Sequence, residues 1–309
     1  MPDSALIILN PKAANGRTVR LRDRLQSWLT QIQVKSVLVE TRARGHAQDL
    51  AQEAASKGFE RVIAVGGDGT LQEIVNGLMA IPAANRPSVG LVPAGRGNDA
   101  ARSYRLPKQL FEALRCALGP HTRPVDLVLA SRGDGVSRYL SAAGGVGFDA
   151  QVAYTMDTQR RFWMRGELGY TLATLNELRH FKNCDLHITV TTPEGTHTVD
   201  GRFLFTAFAN GPFYGGGMQI CPDAQFDDGL IDACMVGDLS RLQAIKELPG
   251  IYRAAHVRHP KVRLVKATSL RIEGDTWVKA HLDGEPFGTL PLDVAVRPRV
   301  LQVAMPAAQ

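Results

Sequence analysis

The residues best placed to do chemistry in this sequence lie in the turn Gly66-Gly67-Asp68-Gly69-Thr70. A short β-branched run precedes this turn, and apolar residues at helical spacing follow it. Glycines let the backbone approach a ligand closely, and a following helix directs free N–H groups at an anion. Thr70 and Glu73 have the spacing of a capping box, which predicts where that helix begins. By itself the turn fits either a phosphate-holding loop or a plain strand-to-helix connection.

Two further strand-to-helix turns favour the phosphate-holding alternative. The first begins at Asn10-Pro11-Lys12 and includes Gly16, and the second is Gly95-Arg96-Gly97-Asn98-Asp99. The carboxyl ends of parallel strands meet at one edge of a sheet, so the three turns are expected to converge. Carboxylates beside phosphates repel them unless a divalent cation lies between, so Asp68 and Asp99 predict Mg²⁺. Asp99 would also suit a helix N-cap.

Two later segments carry carboxylates in glycine turns. Asp283-Gly284-Glu285 follows a predicted strand, where it could be ordinary hairpin chemistry or could supply a general base. The stretch 222–232 is rich in oxygen ligands around Asp228-Gly229, which fits either a hard cation or a solvated acidic turn.

Taken together and in this order, the motifs resemble the diacylglycerol kinase catalytic-domain family, in its bacterial soluble lipid kinase branch. Ala209-Asn210-Gly211 and Gly215-Gly216-Gly217-Met218 complete the resemblance, which covers nearly the whole chain. Sphingosine and ceramide kinases are more distant relatives, and NAD kinases share the Gly-Gly-Asp-Gly-Thr turn. The resemblance implies an ATP- and Mg²⁺-dependent kinase that phosphorylates a hydroxyl of a lipid such as diacylglycerol, phosphatidylglycerol or a sphingoid base.

The same resemblance implies roles for individual residues. Glu285 would accept the proton of the lipid hydroxyl, with Asp283 supporting it or sharing the function, and Asp68 would join them in catalysis. Asp68, Asp99 and Asp126 would form a network around the nucleotide's Mg²⁺. A second, structural Mg²⁺ would be held by the Asp228 carboxylate and the carbonyls of Gln225 and Leu230. The implied nucleotide contacts are Asn10, Pro11, Lys12, Gly16, Thr41, Gly66, Gly67, Asp68, Gly69, Thr70, Leu71, Gln72, Arg96 and Asn98.

Two residues depart from the family's pattern. Arg96 stands where relatives usually carry a small hydroxyl residue, and Gln72 where asparagine is usual. Arg96 could clamp a phosphate or crowd the adenine pocket. These departures keep two alternatives open: a kinase of a soluble substrate, like NAD kinase, and a catalytically silent regulator that binds nucleotide or lipid.

The pattern of elements predicts two domains. Strands and helices alternate up to about residue 118 and predict a parallel α/β domain over 1–124. The resemblance implies that the last strand returns to this domain, so that 292–309 joins it. Strands dominate over 125–291 and predict a β-rich domain, which the resemblance implies is a β-sandwich. One long helical insertion is expected at 151–181.

Composition is that of a globular protein of 309 residues, with 44% hydrophobic and 21% charged residues. No apolar run is long enough to span a bilayer and no signal peptide is recognisable, so we expect a cytoplasmic protein that works peripherally at the inner face of the membrane. The net charge is +6, but the sequence contains no recognised nucleic-acid-binding motif. We therefore do not expect the protein to bind nucleic acid. The segment 159–165 mixes cations with large apolar residues, which fits either a membrane-surface segment or a solvated helix with an inward apolar face.

Overall fold

The computed structural model describes residues 2–158 and 176–307. The chain divides into two compact units. The first consists of Met1–Leu127 with Pro298–Gln309, and the second of Val128–Arg297. Each unit has a core of its own.

Two long strands carry the chain from one unit to the other. Strand β5 spans Thr122–Arg132 and contains the outward crossing, and β15 spans Leu292–Ala304 and contains the return. The sequence predicted these crossings at 124/125 and 291/292.

The first unit is built on a parallel sheet. Its strands β1 to β4 are Ala5–Leu9, Ser36–Glu40, Arg61–Gly66 and Ser88–Pro93. The order is β2-β1-β3-β4, and the end of β15 adds to β4 with Val303 opposite Val89. Every residue of β1 and β3 is buried, as expected of strands covered on both faces. The predicted parallel α/β class is confirmed.

Five α-helices connect and cover these strands. Helices α1 to α5 are Leu21–Ile32, His46–Gln52, Asp68–Met79, Asp99–Ser103 and Leu110–Ala117. A 3₁₀ segment, Ala13–Arg20, precedes α1, where the sequence predicted a helix from Arg17. Leu25 of α1 and Leu114 of α5 pack with Ile7 and Ile63 of the sheet in one apolar cluster. Burial of each such side chain stabilises the fold by about 1.5–3 kcal/mol.

The second unit is dominated by antiparallel strands. Strands β6 to β14 are Ser137–Leu140, Ala143–Gly147, Cys184–Thr192, Gly195–Ala209, Ile231–Gly237, Val262–Ala267, Ser269–Gly274, Lys279–Leu282 and Glu285–Thr289. The pairing runs β14-β13-β7-β9-β8-β12-β15; β9 also pairs with β10, and β10 with β11. The predicted β-rich domain is confirmed.

Helices in the second unit are short. Helix α6 is Phe148–Thr158, residues 176–180 are also helical, and α7 is Arg241–Glu247. Two 3₁₀ segments, Leu248–Arg253 and Ala255–Arg258, follow α7. The middle of the predicted helical insertion, which includes the basic and aromatic segment 159–165, lies outside the described residues.

Candidate active site

The two glycine turns of the first unit lie backbone against backbone. The Ala94 N–H donates to the Gly66 carbonyl at 2.8 Å. A Cβ on Gly95 would overlap the Cα of Gly67, so only glycine lets these two turns meet. Asn98 fixes the second turn, because its side chain accepts from the Gly95 N–H and donates to the Gly95 carbonyl, both at 3.0 Å.

The turn that begins at Asn10 joins the same cluster. Asn10 donates its side-chain N–H to Thr70 Oγ1 at 2.9 Å, and its backbone N–H to the Val65 carbonyl at 3.0 Å. Asn10 Oδ1 accepts the Lys12 N–H at 3.0 Å, which shapes the loop. The predicted convergence of the three turns is confirmed by these contacts.

Helix α3 begins earlier than the capping-box pattern predicted. It starts at Asp68 after the extended residue Gly67, with no side-chain cap. Thr70 Oγ1 accepts from Asn10, and Glu73 Oε2 accepts the Ala47 N–H at 3.2 Å. The capping-box prediction is therefore wrong, because both side chains bind other loops. The N-terminus of this 12-residue helix lies at the glycine cluster, where the positive end of the helix dipole favours an anion.

Asp68 and Asp99 flank a space that a glycine keeps open. A Cβ on Gly97 would lie 2.8 Å from Asp68 Oδ2 and 3.5 Å from Asp99 Oδ2, so one methyl group would fill the gap between the carboxylates. Asp68 Oδ1 accepts the Ala100 N–H at 3.1 Å, and Asp99 Oδ1 accepts from Arg102 Nη1 at 2.8 Å. Two fixed carboxylates facing one small space are chemically suited to Mg²⁺. Arg102 pairs with Oδ1 of Asp99, whereas Oδ2 of both aspartates faces the space at Gly97, so the residues present fit the expected ion.

The other predicted nucleotide contacts differ in exposure. Lys12 and Arg96 are exposed, whereas Gln72 is buried, with only 3% of its surface exposed. Thr41 follows β2 and donates its N–H to the Leu9 carbonyl at 2.9 Å, at the carboxyl edge of the sheet. The exposed cations are free to extend toward an anion, while the buried Gln72 belongs to the packing of α3.

Asp126 is fully buried within the first unit. Its Oδ1 accepts the N–H of Arg299 at 2.8 Å, and Arg299 has a left-handed φ of 54°. That conformation is unfavourable for a side chain of this size. The carboxylate therefore stabilises an irregular residue of β15 in addition to any role near a metal.

Asp283 and Glu285 share one turn in the second unit but differ in their surroundings. The Asp283 oxygens accept four hydrogen bonds, from the backbone N–H groups of Ser141, Ala142 and Ala143 and from the Ser141 hydroxyl. Burial raises the pKa of Asp283, and the four hydrogen bonds oppose that rise. Asp283 thus holds the turn, with a left-handed φ of 50°.

Glu285 is the more accessible carboxylate of the two. Its side chain is 29% exposed, and Oε2 lies 3.6 Å from Nη1 of Arg138. The guanidinium of Arg138 also lies over the Phe287 ring, 5.2 Å from its centroid. A partly exposed carboxylate can accept a proton from a ligand, so the geometry favours Glu285 over Asp283 as a base.

A buried histidine supports the same turn, and the sequence reasoning missed it. His281 Nδ1 accepts the N–H of Gly284 at 3.3 Å, and Nε2 lies 3.2 Å from Asp149 Oδ2. Gly145 pairs with His281 across strands β7 and β13, and its missing Cβ leaves room for the Asp149 carboxylate. His281 precedes the turn by only two residues, but its partner is 132 residues away, so no local pattern could reveal the pair.

A lysine of strand β11 lies against the acidic loop around Asp228, where a metal ion was predicted. Lys266 Nζ lies 2.8 Å from Asp228 Oδ2 and 3.4 Å from Asp232 Oδ2, and Asp228 Oδ1 accepts the Leu230 N–H. Burial lowers the pKa of Lys266, but its bonds to the two aspartates outweigh this and raise it overall. A divalent ion bound by Asp228 and the carbonyls of Gln225 and Leu230 would face this ammonium. The residues present do not fit the second ion.

Over 2–158 and 176–307, no group of three or more His, Cys, Asp or Glu residues is arranged to hold a metal ion. No helix in those ranges combines the length and apolar character that crossing a bilayer requires.

Both parts of the chain match protein-family models. Residues 4–130 match the diacylglycerol kinase catalytic domain, and residues 142–305 match the YegS C-terminal NAD kinase beta sandwich-like domain. The second match agrees with the antiparallel strands and common core of that unit, and the β-sandwich class is confirmed.

Individual relatives cover nearly the full length. A diacylglycerol kinase of Mycobacterium tuberculosis is 30% identical over 299 residues, which cover 96% of this chain and 90% of that protein. The "Probable lipid kinase YegS-like" of Chromohalobacter salexigens is 32% identical over 262 residues, 85% of this chain and 81% of that one. A crystal structure of a diacylglycerol kinase from Bacillus anthracis has the same fold, with a TM-score of 0.71, 23% identity, and coverage of 99% of this chain and 98% of that one.

Proposed function

This chain belongs to the diacylglycerol kinase catalytic-domain family and is a lipid kinase, and from that premise we propose that it transfers the γ-phosphate of ATP to a hydroxyl of a membrane lipid. The acceptor class comprises diacylglycerol, phosphatidylglycerol and sphingoid bases. The observation that carries the proposal is the paired carboxylates of Asp68 and Asp99 beside three convergent turns.

The turns of the first unit hold the nucleotide phosphates in this proposal. The backbone N–H groups at the start of α3 and the side chains of Lys12 and Arg96 supply positive charge. Asp68 and Asp99 would hold Mg²⁺, which would neutralise charge on the phosphates during transfer. Asp126 would add negative charge to the same network.

Glu285 is the proton acceptor. As the lipid oxygen bonds to the γ-phosphorus and the bond to the ADP oxygen breaks, the hydroxyl proton passes to the Glu285 carboxylate. Asp283 positions the turn and does not take the proton, because its two oxygens already accept four hydrogen bonds.

The test is phosphate transfer from labelled ATP to lipids presented in mixed vesicles, with Mg²⁺ present and with the metal chelated. We expect transfer by the wild-type protein in Mg²⁺ only, and a loss of at least about 10²-fold in kcat for Glu285→Gln. The matched control is Asp275→Asn, a substitution at an exposed residue whose side chain contacts Trp277.

Three outcomes would contradict the proposal. Phosphorylation of NAD in preference to every lipid would indicate a soluble-substrate kinase. Nucleotide binding without transfer to any acceptor would indicate a silent regulator. Full activity of Glu285→Gln would remove the base from the mechanism while leaving the kinase assignment.

A further inference from the structure

Helix α7 exposes apolar side chains that a soluble helix normally buries. Leu242 is 81% exposed and Ile245 is 44% exposed. The two are three residues apart and therefore share one face of the helix. Ala244 points the other way and is buried in the apolar cluster of the second unit. The helix thus has a separate inward face, and its exposed apolar face is not a core face left uncovered.

The helix is held firmly in this orientation. Ser240 Oγ accepts the Gln243 N–H at 3.3 Å, and Gln243 Oε1 accepts the Ser240 N–H at 2.9 Å, which completes a capping box. At its other end the chain continues into the 3₁₀ segment Leu248–Arg253, in which Ile251 is buried and Tyr252 is 48% exposed. An exposed aromatic residue therefore follows the helix within one further short segment.

Cations border the apolar residues on both sides. Arg241 lies four residues before Ile245, and Lys246 lies four residues after Leu242, so both flank the apolar pair on the helix surface. Residues 241–263 contain six arginine or lysine side chains and a single acidic residue, Glu247. Arg241, Lys246 and Arg253 form no ion pair with a carboxylate in the described part of the chain.

Apolar side chains centred between unpaired cations match the interface of an anionic lipid bilayer. The apolar groups enter the boundary between headgroups and acyl chains, and the cations remain at the level of the lipid phosphates. A second copy of this chain would bring the same cations against each other, which disfavours a symmetric contact. We propose that the face formed by Arg241, Leu242, Ile245 and Lys246, here called the α7 face, docks this protein on an anionic lipid bilayer.

This inference deepens the proposed function and rests on it for its purpose. A kinase whose acceptor is a membrane lipid must reach the bilayer surface. The binding itself is independent of catalysis, so docking and phosphate transfer can be measured separately.

The test is sedimentation of the full-length protein with vesicles of phosphatidylglycerol and phosphatidylcholine in equal amounts, and with vesicles of phosphatidylcholine alone. We expect the wild-type protein to prefer the anionic vesicles and to be released by salt. The double variant L242S/I245S is expected to bind at least about tenfold more weakly. The variant R241Q/K246Q is expected to lose the preference for anionic vesicles.

Val136→Ser is the matched control, since Val136 is 45% exposed, close to the exposure of Ile245. It should bind vesicles like the wild type. All of these changes are at exposed residues, and an unchanged melting temperature will verify that each variant is folded.

Other results would overturn the docking proposal. These are an absence of wild-type binding to anionic vesicles, equal binding by L242S/I245S and wild type, and loss of a self-association equilibrium instead of vesicle binding in that variant.

Kinase assays on a soluble and on a vesicle-bound acceptor distinguish membrane docking from phosphate transfer. On a short-chain diacylglycerol dissolved in buffer, L242S/I245S should retain wild-type kcat, whereas on vesicles its turnover should fall with its binding. If the wild-type protein phosphorylates no acceptor, the proposed function fails while sedimentation still decides whether the α7 face docks.

Discussion

His281 Nε2 lies 3.2 Å from Asp149 Oδ2, and both side chains are more than nine-tenths buried. The other ring nitrogen, Nδ1, accepts the N–H of Gly284. A neutral imidazole has one donor and one acceptor nitrogen, so Nδ1 accepts and Nε2 donates to Asp149. The ring thereby connects helix α6 to the turn between Asp283 and Glu285.

Two substitutions at His281 separate its two contacts. In His281→Asn the amide oxygen can replace Nδ1 and accept from Gly284, but the side chain is too short for Asp149. In His281→Gln the amide N–H can replace Nε2 and reach Asp149. We expect the Asn variant to retain kcat and to lose about 1–3 kcal/mol of unfolding free energy, because it leaves a buried carboxylate without its partner.

The Gln variant should behave in the opposite way. It should keep most of its stability and lose about tenfold in kcat with little change in KM for ATP, because the Glu285 turn is no longer fixed. Steady-state kinetics and urea unfolding of both variants provide the measurements. Equal losses of kcat in the two variants would contradict a positioning role for the Gly284 contact.

Gly97→Ala tests the space between Asp68 and Asp99. The new methyl group would lie 2.8 Å from Asp68 Oδ2, so that carboxylate must move and the gap closes. We expect kcat/KM for Mg-ATP to fall at least about tenfold and the apparent Mg²⁺ requirement to rise. Gly250→Ala is the control, because the nearest atom to its Cβ would be at an ordinary 3.4 Å. Unchanged Mg²⁺ dependence in Gly97→Ala would exclude a metal held between the two aspartates.

Asp126 permits a separation of structural from electrostatic roles. Asp126→Asn keeps an oxygen that can accept the Arg299 N–H, whereas Asp126→Ala removes this acceptor from a part-buried N–H group. We expect unfolding free energies within about 0.5 kcal/mol of wild type for Asn and about 1–3 kcal/mol lower for Ala. If the carboxylate also acts near Mg²⁺, the Asn variant should lose kcat at unchanged stability. A fully active Asn variant would assign Asp126 to the fold alone.

Local sequence patterns predicted the α/β unit, the β-rich unit and the convergence of the glycine turns, whereas the β-sandwich was implied by the family resemblance. The periodicity of residues such as Ile63 and Leu78 and the glycines at 66, 67 and 95 act over a few neighbours, so a sequence reading detects them. The same reading failed at Thr70, because its hydroxyl binds Asn10, 60 residues away, instead of capping α3.

The features of the site that could not be predicted depend on residues that are far apart in the sequence. His281 and Asp149 come together through the pairing of β13 with β7, which no window of sequence contains. The gap at Gly97 likewise depends on two loops meeting. The acidic loop at Asp228 was recognisable as a cation site, but the cation is Lys266, 38 residues downstream. Sequence composition indicated the charge that the loop needs, and the tertiary fold determined which group supplies it.

Lys266→Met tests whether the lysine ammonium serves in place of a metal ion. The substitution leaves Asp228 and Asp232 without their cation, and we expect a loss of about 1 kcal/mol in unfolding free energy at neutral pH, since the lysine side chain is 39% exposed. Burial raises the pKa of Asp232 and Lys266 counteracts this, so the pKa should rise further in the variant. Because the pKa of Asp232 is then higher in the folded state than in the unfolded state, the free energy of unfolding falls as the pH rises from the unfolded-state pKa to the folded-state pKa.

The destabilisation of Lys266→Met should therefore be largest at neutral pH and shrink as the pH falls toward the ordinary pKa of an aspartate, about 3.9. Urea unfolding at several pH values measures it. Adding Mg²⁺ or Ca²⁺ without nucleotide should raise the melting temperature of the variant more than that of the wild-type protein, because Asp228 and Asp232 have lost their ammonium partner in the variant. Lys261→Met is the control, since Lys261 donates to a backbone carbonyl and to neither aspartate. Metal stabilisation of the wild type equal to that of Lys266→Met would show that the ion and the ammonium coexist.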